Sequence, residues 1–419
     1  MKFLKLDTLN YAILTKVIYA IGAGSIIAYM SFVASEMQRD SYYIIFSLYS
    51  AQLLFEFGSS ILINRFSSVE KNSIEFRGLI QSYALIQGIC GSILGAIFTL
   101  SLIIYYQILS KLMLETVLFI IPLVLTVACF NIINSQIYFL EGKVRQLNFY
   151  KMRALQAAVS QAGLLLMMYF QSSMLILVTT PVLLQTIVGI IWLLRFKENL
   201  SLNLKVQSFE KLLYLLRIQA RTVFTSFSGF IVHQSLPLLI VMLNGPESFS
   251  GKIGLLMSIS NLLMSFLSSD SVIRVPLFSR LIQRNKFNAA NKLLYIFITR
   301  SIILGILLLT MFITVTFLLK TNQLVPSINN SWIIASIMLG IFNTISYHIS
   351  VVIRSTIINT LLFQSILYAL LIILVTIASI IYCPIDWLIF LITIASAINV
   401  LIMLASLRIM MKKLIAHKI

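Results

Sequence analysis

Seven ionisable side chains fall inside apolar runs of membrane length: Lys16, Glu56, Arg221, His233, Asp270, Arg300 and Arg354. On insertion scales a charge at a helix centre costs roughly 2.5–3.5 kcal/mol, so each needs a reason to be there. Glu56 is the deepest acid, about two turns from the end of its run. A carboxylate there is protonated, paired or turned to a watery cavity; the cavity is the favoured reading, a pair with a basic neighbour the plain one. Asp270 precedes Arg274 by four residues, which sets both on one helix face, and a local ion pair competes there with a functional role. Lys16 lies about two turns into the first run and Arg221 at the mouth of the seventh. Either alone can snorkel to the surface. Together, in the opening helices of two halves, they can line a cationic cavity. Arg300 and Arg354 lie nearer span ends, where snorkelling is expected. His233, in VHQSLP, offers a titrating imidazole for proton coupling, though a histidine hydrogen-bonded between helices is the commoner arrangement. Pro237, about a turn later, is expected to kink that span, as a hinge or as a packing feature. Glu115 and Asp386 at outer span ends, and His348 near an inner one, are expected to lie close to water.

The elements that must position these groups follow from composition. Hydrophobic residues make up 59% of the 419 and charged residues 11%, against roughly 25% charged in a soluble domain. The mean hydropathy is +0.99. Apolar runs of about 20 residues, the length that crosses a bilayer as helix, recur along the chain. The short alternating segments of a membrane barrel are absent. The fold class expected is an all-α polytopic membrane protein, with about twelve transmembrane helices in two pseudo-symmetric six-helix bundles. Spans are placed near 11–33, 41–62, 78–104, 112–139, 152–171, 173–195, 218–243, 252–273, 294–319, 330–353, 358–382 and 385–407. The stretch 196–217, FKENLSLNLKVQSFEKLLYLLR, is polar, basic and partly amphipathic. It reads as a cytoplasmic linker between an N-terminal half, 1–195, and a C-terminal half, 218–419. The N-terminus, MKFLKLDTLNYAILTK, has no small-residue cleavage site behind a short apolar core, so the first run is expected to be retained.

Two further patterns support the division. Shifting the sequence by 209 residues places Gln52 on Asn261, Arg65 on Arg274, Lys71 on Arg280 and Arg77 on Lys286. This makes the second span and its following loop a repeated unit. Basic residues also alternate sharply: 27 of the 31 fall at the N-terminus and on every second connection, leaving Arg39, Lys111, Lys252 and Lys320 opposite. By the positive-inside rule the basic side is cytoplasmic and holds both termini. The net charge of +18 is therefore mostly this bias, and nucleic acid is not an expected partner.

Much chemistry is left without sequence support. There is no phosphate-binding lysine loop, zinc-binding helix motif or nucleophile elbow. No catalytic residue, metal or cofactor is expected, and the chain is not expected to be an enzyme. Cys90, Cys129 and Cys383 lie in or beside spans without metal-like spacing and read as small apolar side chains. The glycine-rich GAGS at 22–25 lies within the first span and reads as close helix packing.

The second span and its sequel, LLFEFGSSILINRFSS, with FLEGKVRQLNFYKMRALQAAVS at 139–160 and VPLFSRLIQRNKFNAANKLL at 275–294, resembles the MOP exporter superfamily (multidrug, oligosaccharidyl-lipid, polysaccharide). Within it, the chain is similar to Wzx-type O-antigen or polysaccharide flippases of the bacterial inner membrane. The resemblance implies a MATE-like fold and a substrate, a polyprenyl-pyrophosphate-linked oligosaccharide, moved from the cytoplasmic to the periplasmic leaflet by alternating access. It implies that Lys16, Arg65, Arg221 and Arg274 attract the anionic headgroup, and that Glu56, Asp270 and His233 gate or couple. Besides membrane lipids, partners would include the polysaccharide polymerase and chain-length regulator. A cation- or proton-coupled exporter of small amphipathic compounds on the same fold is the alternative. Its expected deep acid in the outer half of a span is not found here. The short outer loops speak against a membrane glycosyltransferase, and the paired halves against a mere scaffold.

Overall fold

A computed structural model describes residues 6–56, 59, 63, 74–110, 114–143, 146–196, 209–243, 245–246, 249–268, 281, 286–318, 328–356, 359–382 and 387–416. Almost all of them are helical, because a backbone in lipid must satisfy its polar groups within its own segment. In chain order the helices are α1 (Leu6–Phe32), α2 (Glu36–Leu53), α3 (Ile74–Ser110), α4 (Leu114–Lys143), α5 (Gln146–Tyr169), α6 (Met174–Arg195) and α7 (Phe209–His233). They continue with α8 (Leu236–Met242), α9 (Phe249–Leu267), α10 (Phe287–Leu318), α11 (Asn330–Thr356), α12 (Asn359–Ile381) and α13 (Leu388–Ala416). A 3-10 turn, Leu54–Glu56, continues α2.

Nine of these helices are long and apolar enough to cross a membrane by themselves. The remaining long helices, α2, α5 and α7, complete the twelve spans and are the more polar ones. Where a helix faces outward the apolar rule of soluble proteins is inverted. On α10 the exposed residues include Ile303, Leu307, Met311 and Phe317, a surface suited to acyl chains and not to water.

The chain divides into two compact units, residues 1–22 with 41–230 and residues 23–40 with 231–419. Each repeats the same packing order. In the first, α3 packs on α4, α4 on α6 and α5 on α6. In the second, α10 packs on α11, α11 on α13 and α12 on α13. The first unit closes on an apolar core that includes Ile80, Tyr83, Ile137, Leu140, Phe149, Trp192 and Leu215. The second carries a polar seam among α11, α12 and α13, where Tyr368, Asn343 and Ser396 bond to one another.

Local chemistry explains where the helices depart from the expected spans. α2 starts at Glu36, five residues before the apolar run, because Ser35 and Gln38 form a reciprocal capping box. The Ser35 N–H donates to Gln38 Oε1 at 2.9 Å and the Gln38 N–H to Ser35 Oγ at 3.3 Å. The seventh span is broken, not merely kinked. α7 stops at His233, Ser235 Oγ donates to Ile231 O at 2.9 Å, and Pro237 enters the first turn of α8, where a missing N–H costs nothing. α7 itself begins at Phe209, so the last residues of the stretch 196–217 are helical, with Leu215 buried.

Candidate functional site

Helix α1 carries Lys16 half-buried in its apolar run. No carboxylate lies within ion-pair distance of it among the described residues. Arg221 lies on α7, with its side chain outside the described residues. Arg65, Asp270 and Arg274 also lie outside the described residues. Arg300 is exposed on α10. The structure therefore speaks to Lys16 and Glu56 in the first unit and to His233 in the second among the predicted site residues.

Glu56 ends the 3-10 turn, half-buried, with its Oε1 fully enclosed. Its position depends on α3. The sequence Gly91–Gly95, a small-residue pair four apart, lets the two backbones approach closely. A Cβ on Gly91 would stand 2.5 Å from Phe55 O, and one on Gly95 2.7 Å from Gln52 O. One turn before Glu56, Gln52 is wholly buried and its Nε2 donates to Val124 O on α4 at 2.8 Å.

Asn261, the partner of Gln52 in the 209-residue register, behaves alike in the second unit. Its Nδ2 donates to the backbone carbonyl of His233 at 3.0 Å. The carbonyl oxygen of Gln52 is buried and meets no hydrogen-bond partner among the described residues, and the Asn261 side chain lies beside the His233 imidazole. His233 thus meets α9 through its peptide group. Its ring Nδ1 is also buried without a hydrogen-bond partner among the described residues.

Asp40, which sequence reasoning passed over, has a well-defined setting. Asp40 heads the second span and binds the N-terminus of α9. It accepts from the Gly251 N–H and, at 2.9 Å, from Ser250 Oγ. An anion is favoured there by the unpaired amides and dipole of the helix start. Lys252 reaches Glu36 at 4.0 Å beside it, and buried Arg39 donates to Met30 O at 2.8 Å. This clasp lies within the second unit and ties the segment ending at Asp40 to α9. The capping signature Ser35–Gln38 would have brought Asp40 inside the second helix. His348 needs a correction: it is 2% exposed, far from the watery span end expected of it. Its Nε2 shares a 2.8 Å hydrogen bond with Ser301 Oγ, and its ring stacks on Phe297 at 5.9 Å. Its distance along the helix from the charged end misled, because the α10–α11 interface covers it. In the first unit, α7 is fastened to α3 by buried polar groups: Tyr83 Oη donates to Gln219 Oε1 and Gln219 Nε2 to Gln87 Oε1, each at 2.8 Å.

No family model matches this chain, and no curated protein matches it in sequence. Solved structures do match. An outward-facing MATE-family multidrug transporter of the MOP superfamily superposes with a TM-score of 0.66 at 12% identity, over 98% of this chain and 97% of its own. An inward-facing structure of a MATE-family multidrug transporter gives 0.62 at 14% identity, over 99% and 96%. A MOP superfamily transporter from Pyrococcus furiosus, in which reverse polarity of the binding pocket suggests a different function, gives 0.58 at 12% identity, over 99% of both chains. Similarity at these identities establishes the fold: the chain is a multi-pass membrane protein with the architecture of the MATE transporters.

Proposed function

We propose that this chain is a Wzx-type flippase. It carries polyprenyl-pyrophosphate-linked oligosaccharide repeats, of O-antigen or another surface polysaccharide, from the cytoplasmic to the periplasmic leaflet by alternating access. The observation that carries the reading is Lys16, a cation half-buried in the first span with no carboxylate to neutralise it among the described residues. Such a charge is stable in a membrane helix when it faces a polar cavity or an anionic ligand. A cation placed there repels a cationic drug and attracts a pyrophosphate. The Pyrococcus furiosus transporter, with its binding pocket of reverse polarity, offers a parallel for such a change of ligand on the same fold.

On this reading Lys16, Arg65, Arg221 and Arg274 draw in the anionic headgroup, the glycan occupies a polar cavity and the lipid tail stays in the bilayer. Glu56, Asp270 and His233 gate or couple the cycle, with the halves rocking about an axis along the membrane normal. The protein works in a bacterial inner membrane with both termini cytoplasmic, alongside the polymerase and chain-length regulator that use its product. The test is the sidedness of lipid-linked repeats in cells depleted of the protein and then resupplied. Repeats should accumulate on the cytoplasmic leaflet and cross on resupply, and the double variant Lys16→Glu/Arg221→Glu should not restore crossing. Full crossing with both charges reversed would sink the cationic cavity. The second reading, a cation- or proton-coupled exporter of amphipathic compounds, is favoured by the multidrug transporters among the structural neighbours. Unchanged sidedness with raised retention of a cationic dye would select it.

A further inference from the structure

Arg153 is one of the basic residues that mark the inner side, yet its surroundings are not those of a snorkelling side chain. It sits about two turns into α5, half-buried. Its Nη1 donates to Asn134 Oδ1 on α4 at 3.2 Å and to Gln156 Oε1 on its own helix at 3.1 Å. The guanidinium lies against the rings of Tyr138 and Phe149, 5.3 and 5.1 Å from their centroids. Gln156, 1% exposed, is itself fixed by its Nε2 bond to Gln185 O on α6 at 3.0 Å. Three helices thus hold one side chain in a single orientation.

All of these partners are neutral. A guanidinium carries five N–H donors, of which Nη1 supplies two, so the edge formed by Nε and Nη2 keeps three. That edge has no partner among the described residues. A cation pinned by amides and aromatic faces, with its forked edge left open, is arranged to meet an anion from outside.

Helix α1 supplies the neighbouring wall. Lys151 Nζ lies 5.5 Å from the ring centre of Tyr11. Tyr19 shares a hydrogen bond with Ser160 and lies within electrostatic reach of Arg153. A Cβ on Gly22 would strike Gln161. These three contacts run in the same direction along both helices, so Lys16, between Tyr11 and Tyr19, falls level with the α5 turn that carries Arg153 and Gln156. Tyr49 of α2 lies within electrostatic reach of both Tyr19 and Tyr138. The first unit therefore gathers cations and tyrosine rings with no acid paired to them among the described residues.

We propose that Arg153, seconded by Lys16, is the docking point for a diphosphate ester, and that the flanking tyrosine rings receive the sugar next to it. The proposal rests on the flippase reading and narrows it: phosphate is held by the open Arg153 edge, as a planar fork suits two oxygens of one phosphate. A prenyl diphosphate and a soluble sugar nucleotide share this chemistry, and the probes separate them.

The test uses the full chain in nanodiscs of zwitterionic lipid. Farnesyl diphosphate, farnesol, inorganic pyrophosphate and a uridine diphosphate sugar are titrated against tryptophan and tyrosine fluorescence. The wild type should bind farnesyl diphosphate and not farnesol. Arg153→Gln should bind it about 10- to 100-fold more weakly, the loss expected for charge-assisted bonds to a phosphate. Arg153→Lys should fall between, keeping charge without the fork, and Arg195→Gln, on the exposed end of α6, should match the wild type. Competition by the uridine diphosphate sugar as strong as by farnesyl diphosphate would make the site one for diphosphates in general; competition by the prenyl compound alone would tie it to lipid. Should the variants fail to fold, the native chain decides: farnesyl diphosphate should slow phenylglyoxal modification of Arg153, read by mass spectrometry, and farnesol should not. Binding by the wild type that Arg153→Gln leaves unchanged, or no protection of Arg153, overturns the site and leaves the flippase reading standing. Absence of any diphosphate binding by the wild type overturns both.

Discussion

Replacing Gly91 by alanine should loosen the seat of Glu56. The groups that meet a new Cβ at Gly91 and Gly95 are backbone carbonyls, Phe55 O at 2.5 Å and Gln52 O at 2.7 Å. A carbonyl of a packed helix cannot swing aside as a long side chain can. Bringing these contacts out to an ordinary 3.4 Å requires the backbones to part by about 0.9 Å at Gly91 and about 0.7 Å at Gly95. Overpacking a close-packed interior costs typically about 1–3 kcal/mol. The parting also strains the Gln52–Val124 hydrogen bond that anchors the same turn. Gly24 and Gly78 serve as controls, because a Cβ at either meets nothing within 4 Å among the described residues. Alanine there gains helix propensity, up to about 1 kcal/mol in water. The assay is thermal unfolding of the four single variants in one detergent, followed by tryptophan fluorescence. Gly91→Ala and Gly95→Ala should melt several degrees below the wild type, and Gly24→Ala and Gly78→Ala at or above it. Translocation per folded molecule should fall for Gly91→Ala as well, since the turn that carries Glu56 has moved. Equal melting of all four would refute the close approach of α3 to the turn, and with it the account of how Glu56 is placed.

Two other consequences are open to direct measurement. Asp40→Asn keeps the shape of the clasp on α9 but removes the charge; charge-assisted bonds are roughly twice as strong as neutral ones, so about 1–2 kcal/mol should go. Hydrogen exchange of the 249–253 amides should then quicken roughly 5- to 30-fold, and unchanged protection would refute the clasp. Gln171 has a φ of 49° in the turn after α5, where the Ser172 N–H donates to Met167 O and the Gln171 N–H to Met168 O. That is the left-handed position of a helix C-terminus, which favours glycine. Gln171→Gly should raise stability by about 0.5–1 kcal/mol, seen as a higher melting midpoint; a lower midpoint would count against this reading of the turn.

Much of the fold is legible because lipid imposes a strong rule: long apolar helices such as α10 and α13 announce themselves by composition. What escapes is decided by a few atoms. The start of α2 depends on two hydrogen bonds of Ser35 and Gln38, a signature readable in principle but hidden by the hydropathy pattern. The break after His233 was foreshadowed by Pro237, though proline alone does not distinguish a kink from a stop followed by a new helix. His348 was misjudged because position along a helix says nothing about which neighbour covers it. Arg153 was overlooked for a different reason. A basic residue near a cytoplasmic helix end is what the positive-inside bias produces everywhere, so only its amide and aromatic clamp sets it apart. Arg65, Lys71, Arg274 and Arg280 of the repeat lie outside the described residues, and the pair Gln52 and Asn261 lies within them. Each gives its N–H to a main-chain carbonyl of another helix.

The three spans that fall short of the others in hydropathy hold several of these polar groups. α2 carries Gln52 and leads into Glu56, α5 carries Arg153 and Gln156, and α7 carries Gln219 and Arg221. A helix with such side chains cannot turn every face to lipid, because each buried polar group must find a partner or water. Where partners are found, as for Gln219 between Tyr83 and Gln87, the polar group serves packing. Where a donor edge is left over, as at Arg153, it is available to a ligand. The polarity that weakens α2, α5 and α7 as spans is therefore what a polar path through a membrane protein requires. Such a path should be sought along these helices and not along α10, α12 or α13.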